Sequence, residues 1–513
     1  MISSKSISLI LTCAAFLLPG ALSGAERQRG LFPDARSRAT LSGIYKSVYE
    51  KNPSMLSWWD YDVWSVIGTE AHAGKGKLHS PTSPDGSKGL NINTESILHQ
   101  KNTGWTFSGK FEYGIDWADS VRSTLSYRKR PYGSPSMFFC IAPASSWELQ
   151  HYTLAATASK RLGSRWSAGA HLEYVGGKQF RKSDVRNEQT SLDISLEAGA
   201  TGLFGRNLLS AGLSYERYKE KPEFSRVYNS GADYFIYLMN GLGTQVTGQE
   251  NSPSWRQNVP GVYVSWGHHG AKNRITARYS FKIGEDCWKS EAIQSSTRQE
   301  KFTNYDFMFH SVSLSDLLTL SGERRLIFDG DFSFVSGESS NWSKSTSSFI
   351  ADYDALLYEG RAGVRYSNPG GWFRAAGINA ILAGESRHDK NYDARLDDMN
   401  LCGTAMAGFG AKIGKTDLDL TLSAGLSTWL QADYQPNAAK DGYNIYTTYI
   451  GKAEEAFLDA GQWHAGAELS VEFPVRKTLL SVGAAYNYAG AVADNVYKGA
   501  RRQYGNIFLN ICF

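Results

Sequence analysis

The sequence has little of what a membrane helix or a metal centre needs. Beyond residue 25, no stretch supplies the roughly 20 consecutive apolar residues of a transmembrane helix. Only five cysteines occur in 513 residues, and none belongs to a CxxC motif, so a thiolate metal site is not expected. The formal net charge is only +4, which gives no reason to expect nucleic acid as a partner.

The motifs of outer-membrane enzymes are also missing. Phospholipases and lipid A deacylases place a His and a nucleophilic Ser two residues apart on one strand, so that the imidazole can take the hydroxyl proton. The nearest approaches are His151 with Thr153, and His310 with Ser311 and Ser313, but Ser313 falls on the strand face opposite to His310. Omptin-like proteases need Asp-x-His, which does not occur in the sequence. We therefore expect no catalytic residue, no bound metal and no cofactor.

The N-terminal residues have the pattern of a secretory signal. Lys5 supplies the positive charge, an apolar run extends from Ile7 to Leu22, and the small residues Ser23 and Ala25 suit cleavage before Glu26. We predict a signal peptide over residues 1–25, a short N-terminal periplasmic segment over residues 26–56, and one barrel domain over residues 57–513. An exported chain of this kind is expected in the outer membrane.

Alternation of apolar and polar residues with a period of two dominates the rest of the chain. Between Trp105 and Trp117, aromatic and other apolar residues share one strand face, and charged residues share the other. The mean hydropathy is only −0.37, as expected where lipid-facing and lumen-facing residues cancel in the average. The aromatic content of 13% suits the aromatic girdles of a membrane barrel.

Strand length and loop rhythm separate a membrane barrel from a soluble sandwich. The predicted strands often have about 11 to 15 residues, whereas globular strands average about 5–6 and a bilayer needs about 9–11. Short turns alternate with long polar segments, as periplasmic turns alternate with extracellular loops. The predicted turns are 160–165, 204–207, 269–273, 320–324, 367–371, 413–416 and 474–477, and the predicted loops are 128–146, 219–258, 285–301, 337–352, 385–401 and 431–460.

These patterns predict an all-β fold, a transmembrane antiparallel up-and-down β-barrel of about eighteen strands, with fourteen or sixteen as alternatives. The alternation places charges of both signs in the lumen, where such residues form salt-bridge ladders or line an aqueous path. The predicted lumen-facing charges are Lys110, Glu112, Asp116, Arg278, Lys282, Arg325, Asp329, Asp331, Asp417, Asp419 and Glu468. The long loop 219–258 could fold inward as a plug.

The last strand ends in a pattern that suits membrane insertion. Leu509, Ile511 and Phe513 share one face, and the terminal phenylalanine resembles the sorting signal of bacterial outer-membrane barrels. The resemblance implies that the barrel assembly machinery reads this strand. Outer-membrane lipid and that machinery are therefore the expected partners.

Two segments resemble a known family. Asn52-Pro53 followed by Trp58-Trp59, and the stretch Val185–Gly243 with its Leu192-Asp193-Ile194-Ser195-Leu196 strand and Gly-Arg turn, resemble a Bacteroidota outer-membrane barrel family of unknown function. Genes of this family often lie beside those of a TonB-dependent transporter and a surface lipoprotein. The resemblance therefore implies these two partners and a part in nutrient or metal acquisition.

Three functional hypotheses follow from the sequence. The favoured one is a channel or accessory component in transport or in nutrient and metal uptake across the outer membrane. The alternative is a structural or adhesive surface barrel that binds partners through its long loops. An outer-membrane hydrolase is disfavoured, because its motifs are missing.

Overall fold

The computed structural model describes residues 52–58, 63–100, 102–126, 131–225, 236–243, 245–246, 253–290, 301–322, 324–343, 348–437, 446–475 and 478–512. In this part of the chain, eighteen long strands form one antiparallel sheet and three short strands form a second. The long strands are β1 (Val63–Gly76), β2 (Gly86–Gln100), β3 (Trp105–Val121), β5 (Ser145–Arg161), β6 (Trp166–Arg181), β7 (Arg186–Phe204), β8 (Asn207–Ser225), β11 (Pro253–His269), β12 (Asn273–Ser290), β13 (Lys301–Thr319), β14 (Arg325–Ser343), β15 (Ser348–Ser367), β16 (Phe373–Asp389), β17 (Ala394–Ile413), β18 (Thr416–Gln435), β19 (Gln462–Val475), β20 (Thr478–Ala491) and β21 (Arg501–Cys512). The short strands are β4 (Ser136–Cys140), β9 (Ile236–Asn240) and β10 (Gln245–Val246).

The large sheet closes into a barrel. β1 pairs with β2 on one side and with β21 on the other, in a register that runs from Val66 opposite Cys512 to Gly76 opposite Arg502. Neighbours in sequence are neighbours in the barrel, except where β4, β9 and β10 leave the wall, so that β3 pairs with β5 and β8 with β11. The predicted all-β up-and-down barrel of about eighteen strands is confirmed.

The outer face of the barrel is apolar. Leu213, Ile378 and Leu426 each expose more than 60% of their surface. Lipid covers such a face in an outer-membrane barrel, whereas in water it would expose a large apolar patch. No helix in the described ranges is both long and apolar enough to cross a membrane.

Short turns join the strands at the end of the barrel where β1 begins and β21 ends. These connections have two to five residues, and all of them except 101–104 lie at the positions predicted from the sequence. Gly205 and Gly414 adopt positive φ angles of 66° and 65° in two-residue turns. Tight hairpins of this length need that conformation, and glycine reaches it without strain. This end is periplasmic in outer-membrane barrels.

At the opposite, extracellular end the strands are longer than predicted. Segments 337–352 and 385–401 were expected as long loops, but most of both segments belongs to strands, leaving connections of only 344–347 and 390–393. Their inward side chains explain the difference: Tyr353, Ala355 and Leu396 are buried against loops that enter the barrel. The extracellular parts of these strands are therefore stabilised by packing against the loops inside the barrel.

Candidate functional site in the barrel lumen

A short segment lies inside the periplasmic end of the barrel. Residues 52–58, which we call the stopper, include a 3-10 helix over Pro53–Trp58, and all six helix residues are buried. The stopper packs against β5, β6 and β7. Met55 and Trp58 form a small apolar cluster with Leu208, Leu317 and Ile327, which lie on β8, β13 and β14. The predicted boundary between residues 56 and 57 falls within this helix.

Hydroxyl groups of the wall hold the stopper. Ser54 Oγ lies 2.6 Å from Thr201 Oγ1, and Ser167 Oγ donates to the Ser54 carbonyl oxygen at 2.6 Å. The Trp58 indole N–H donates to Ser167 Oγ at 2.8 Å. Arg161 donates to the Ser57 carbonyl oxygen at 2.9 Å and stacks over the Trp58 ring. None of these bonds joins two charged groups, so each contributes only about 0.5–1.5 kcal/mol, or somewhat more for the guanidinium.

Described parts of three loops pack against the inner face of the wall at the extracellular end. We call the described parts of residues 122–144, 226–252 and 436–461 the loop cover. β4 and β9 pair antiparallel within it. The third loop contains a π-helical turn over Thr447–Gly451 and helix α1 (Lys452–Leu458). Residues of the loop cover pack into buried clusters with the wall: Phe138 packs against Trp288, and Phe139 shares a cluster with Leu396.

The loop cover is also tied to the wall by polar contacts. Asn240 donates to Ser339 Oγ at 3.0 Å, and Ser136 donates to Asn240 Oδ1 at 2.8 Å. Tyr446 donates to Glu454 at 3.0 Å, and burial together with this carboxylate raises the pKa of the Tyr446 phenol well above its usual value. The sequence left open whether loop 219–258 folds inward; its strand β9 does so.

Tyr132 links the loop cover to the inner face of the wall. Its hydroxyl donates to Glu216 Oε2 at 2.5 Å, and Glu216 also pairs with the Lys282 ammonium group. The Tyr132 ring stacks on Phe307, with 4.7 Å between the ring centroids. Because Glu216, Lys282 and Phe307 lie on β8, β12 and β13, this one side chain joins the loop cover to three strands of the wall.

A cavity of about 480 Å³ lies in the lumen and is lined by polar side chains. On β6 and β7, His171 lies opposite Glu197, and Glu173 lies opposite Ser195. On β12–β15, the lining residues form two rows that run across the four strands, each residue paired with the next. These rows are Ser280–Ser311–Ser333–Glu359 and Arg278–Ser313–Asp331–Arg361.

Ion pairs span this cavity and fix its charges. Arg278 Nη2 lies 2.8 Å from Glu197 Oε1, which joins β12 to β7 across two intervening strands. The same guanidinium lies 4.1 Å from the centroid of the buried Tyr263 ring. Arg361 Nη2 lies 2.6 Å from Glu359 Oε1. The cavity therefore presents hydrogen-bond donors and acceptors side by side, and a paired carboxylate balances the charge of each of these two arginines.

Three of the predicted lumen charges meet in a second network. Lys110 Nζ lies 3.0 Å from Glu112 Oε2, and Asp116 Oδ1 lies 2.8 Å from His72 Nε2. His151 lies between the two carboxylates, at 3.8 Å from Glu112 and 3.9 Å from Asp116. The three predicted residues thus face one another on the inner side of β3, with histidines supplied by β1 and β5.

The other predicted charges lie elsewhere on the inner face. Arg278, Lys282 and Asp331 line the cavity. Asp329 accepts from Ser315 at 2.6 Å. The remaining positions are Arg325, at the start of β14, Asp417 and Asp419, which lie 3.0 Å and 3.5 Å from Arg374, and Glu468, opposite Thr421.

Sequence reasoning missed several residues of the site. Glu197 and Glu216 carry the same alternation signal as the predicted charges, on β7 and β8, and the pattern could have found them. The serines of the cavity rows carry no such signal, because serine is common on both faces of strands. Tyr132 lies in a loop, and the stopper is too short to show any periodicity.

His310 and the two serines that follow it, which come near to a hydrolase motif in the sequence, lie on opposite faces of the barrel wall. His310 packs against Phe281, with 4.9 Å between ring centroids, and contacts the exposed Tyr279 on the outer face. Ser311 and Ser313 line the cavity on the inner face. The imidazole therefore cannot act on either hydroxyl.

The residues of the predicted insertion signal lie on the lipid side of β21. Ile511 pairs with Ile67, and Leu509 pairs with Val482, and both partners are exposed on the outer face. Phe513 lies outside the described residues. β21 is also the strand that pairs with β1, so the barrel closes only when β21 is in place.

Deleting Phe513, or replacing it with Asp, should lower the amount of assembled barrel several-fold. The last strand must be recognised and must cover the open edge of the sheet. Heat-modifiable gel mobility of outer-membrane fractions measures the assembled form, and Asn510→Ser on the inner face of the same strand is the control. Unchanged assembly of the Phe513 variants would show that this terminus is not the signal.

An apolar outer belt, a closed sheet and a charged lumen define this protein as an outer-membrane β-barrel. Residues 53–513 match the family described as "Family of unknown function (DUF6850)", and the chain belongs to that family. The match includes the stopper helix together with the whole barrel. The family membership predicted from the sequence, in a barrel family of unknown function, is confirmed.

Solved structures of similar fold include three uptake proteins. The ferric citrate transporter FecA in its unliganded form is 11% identical, with 88% of this chain and 78% of that chain covered and a TM-score of 0.40. BauA, the ferric preacinetobactin receptor from Acinetobacter baumannii, is 8% identical, with 88% and 80% covered and a TM-score of 0.39. The ferric yersiniabactin uptake receptor FyuA from Yersinia pestis is 10% identical, with 88% and 80% covered and a TM-score of 0.38. No curated protein sequence matches the chain.

Proposed function

We propose that this barrel is an uptake component of the outer membrane that holds a small polar solute between two closures. The observation that carries the proposal is the polar cavity, which lies between the stopper and the loop cover. Its size falls within the range of about 300–1,000 Å³ that is usual for small-molecule sites. The stopper and the loop cover each pack against the wall at one end of the lumen, which favours a gated path over a passive pore.

Uptake through such a barrel requires an opening at each end of the lumen. The loop cover must move for a solute to enter from outside, and the stopper must move for it to leave toward the periplasm. The stopper suits this role, because a few hydrogen bonds and one small apolar cluster hold it. The loop cover is held by larger buried clusters, which contain aromatic residues from all three loops and the wall.

The proposal is tested by solute depletion in cells. A strain that lacks this gene is complemented with the wild type or with the double variant Arg278→Met/Glu197→Met, and grown with a panel of small hydrophilic solutes. Replacing both members of the ion pair by apolar residues of similar size leaves no uncompensated charge, so folding should survive. We expect the wild type to deplete at least one solute several-fold faster than both the deletion strain and the double variant.

The outer-face variant Leu422→Val is the matched control and should deplete the solute at the wild-type rate. Equal depletion of every solute by the wild type and the deletion strain would contradict the proposal. Loss of surface attachment by the deletion strain, with depletion unchanged, would instead support the adhesive alternative.

The proposal extends to the partners that the family resemblance implied. A TonB-dependent transporter and a surface lipoprotein, together with a Bacteroidota origin, stay predictions. So does the signal peptide over residues 1–25, which lies outside the described residues. An uptake component with a closed lumen fits such partners, because displacement of the stopper or of the loop cover needs a second protein or a ligand to favour the open state.

A further inference from the structure

We infer that the cavity takes a neutral, polyhydroxylated solute of monosaccharide to disaccharide size. The inference rests on the proposed uptake function and names the chemical class of solute for the same cavity. Three observations carry it: hydroxyl groups without partners, charges that are already paired, and the cavity volume.

The first observation concerns the serines of the two rows on β12–β15. Ser311 and Ser333 are directly paired, and Ser313 lies in the adjacent row. None of these three hydroxyls has a hydrogen-bond partner in the described part of the chain, although all three line the cavity. A hydroxyl group both donates and accepts, so this surface matches a ligand that presents hydroxyls of its own.

The second observation concerns the charged groups beside these serines. Arg278 is paired with Glu197, Arg361 with Glu359, and Lys282 with Glu216. A charged solute would have to compete with these pairs, and a partly buried charge that loses its partner is costly. A neutral hydroxyl can accept from a guanidinium and donate to the neighbouring carboxylate while both pairs stay intact.

The third observation is the size of the cavity. At about 30 Å³ for each water molecule, 480 Å³ holds roughly sixteen waters. A monosaccharide has fewer non-hydrogen atoms than this number and a disaccharide has more, so the cavity suits a solute between these two sizes. Larger oligosaccharides would require the loop cover or the stopper to move aside during binding.

One group in the lining favours a different class of solute. Glu173 forms no ion pair with another described residue, and its carboxylate would attract a small cation or an amine. The test therefore includes cations beside neutral polyols.

Equilibrium dialysis of the purified full-length protein in detergent tests the inference. The probes are radiolabelled glucose, myo-inositol and trehalose as neutral polyols, and putrescine and Mg²⁺ as cations. We expect at least one polyol to bind, with an affinity that is equal at low and high salt, because no net charge is involved. Ser311→Ala/Ser333→Ala should weaken its binding about tenfold through the loss of two hydrogen bonds.

Ser470→Ala/Ser481→Ala is the matched control, because both serines are buried in β19 and β20 and do not line the cavity. Salt-sensitive binding of putrescine or Mg²⁺ that Glu173→Gln abolishes, with no polyol bound, would overturn the solute class and leave the uptake function standing. If no probe binds and the cells also deplete no solute, the inference and the proposed function both fail.

Discussion

Replacing Gly169 with valine should displace the stopper and open the cavity to the periplasmic side. A Cβ atom at this position would lie far inside van der Waals distance of the Pro53 carbonyl oxygen and 2.7 Å from Ser54 N. Both atoms belong to the stopper backbone, so no flexible side chain can move away to relieve the overlap. The wall at this point is fixed by pairing on both sides of β6, and the stopper must therefore give way.

Labelling of a cysteine in the cavity measures this opening. With Ser311→Cys as the reporter, a membrane-impermeant thiol reagent on the periplasmic side should react at least tenfold faster in the Gly169→Val background than in the wild-type background. Gly403→Val is the matched control: it lies on β17 opposite the lipid-facing Leu426, and its Cβ would meet nothing within 4 Å. Equal labelling in all backgrounds would contradict the role of residues 52–58 as a closure.

A solute that crosses the barrel must pass both the loop cover and the stopper. Opening the stopper alone leaves the loop cover in place, so Gly169→Val by itself should not produce an open pore in planar bilayers. Three of the native thiols give little background in the labelling, and Cys512, which is only partly buried, is replaced by serine in every background. Burial raises the pKa of the Cys140 thiol to about 11, and Cys287 and Cys402 are also buried.

Replacing Leu422 with arginine should strongly reduce assembly, whereas the same change at Thr421 should be tolerated. Leu422 exposes 45% of its surface on the outer face, and Thr421 exposes 7% on the inner face. An arginine that faces lipid near the middle of the bilayer costs about 2–4 kcal/mol. An arginine at 421 would lie opposite Glu468 in the register of β18 and β19, where a carboxylate can pair with it.

Heat-modifiable mobility of the two variants, refolded into liposomes, measures assembly. A second readout separates a lipid-facing position from a soluble surface: Leu422→Cys should react with reagents dissolved in the membrane and be protected from aqueous ones. Normal assembly of Leu422→Arg, or aqueous labelling of Leu422→Cys, would show that this face does not meet lipid.

The sequence by itself determined the wall of this barrel. The side chains of a strand alternate between two faces with a period of two, so each strand could be assigned a lipid side and a lumen side from local pattern alone. That is why Leu422 and Thr421 could be placed on opposite faces, and why Lys110, Glu112 and Asp116 could be placed together. Turn positions were equally local, because glycines such as Gly205 and Gly414 mark tight reversals.

Only the tertiary structure decided how the lumen is filled. Arg278 meets Glu197 across 81 residues of sequence, and Arg374 on β16 meets Asp417 on β18 across the intervening strand β17. Such contacts depend on the closure of the sheet and on the order in which strands lie around it. The stopper and the loop cover depend on the barrel in the same way: short segments without periodicity bury their apolar residues only because a closed wall surrounds them.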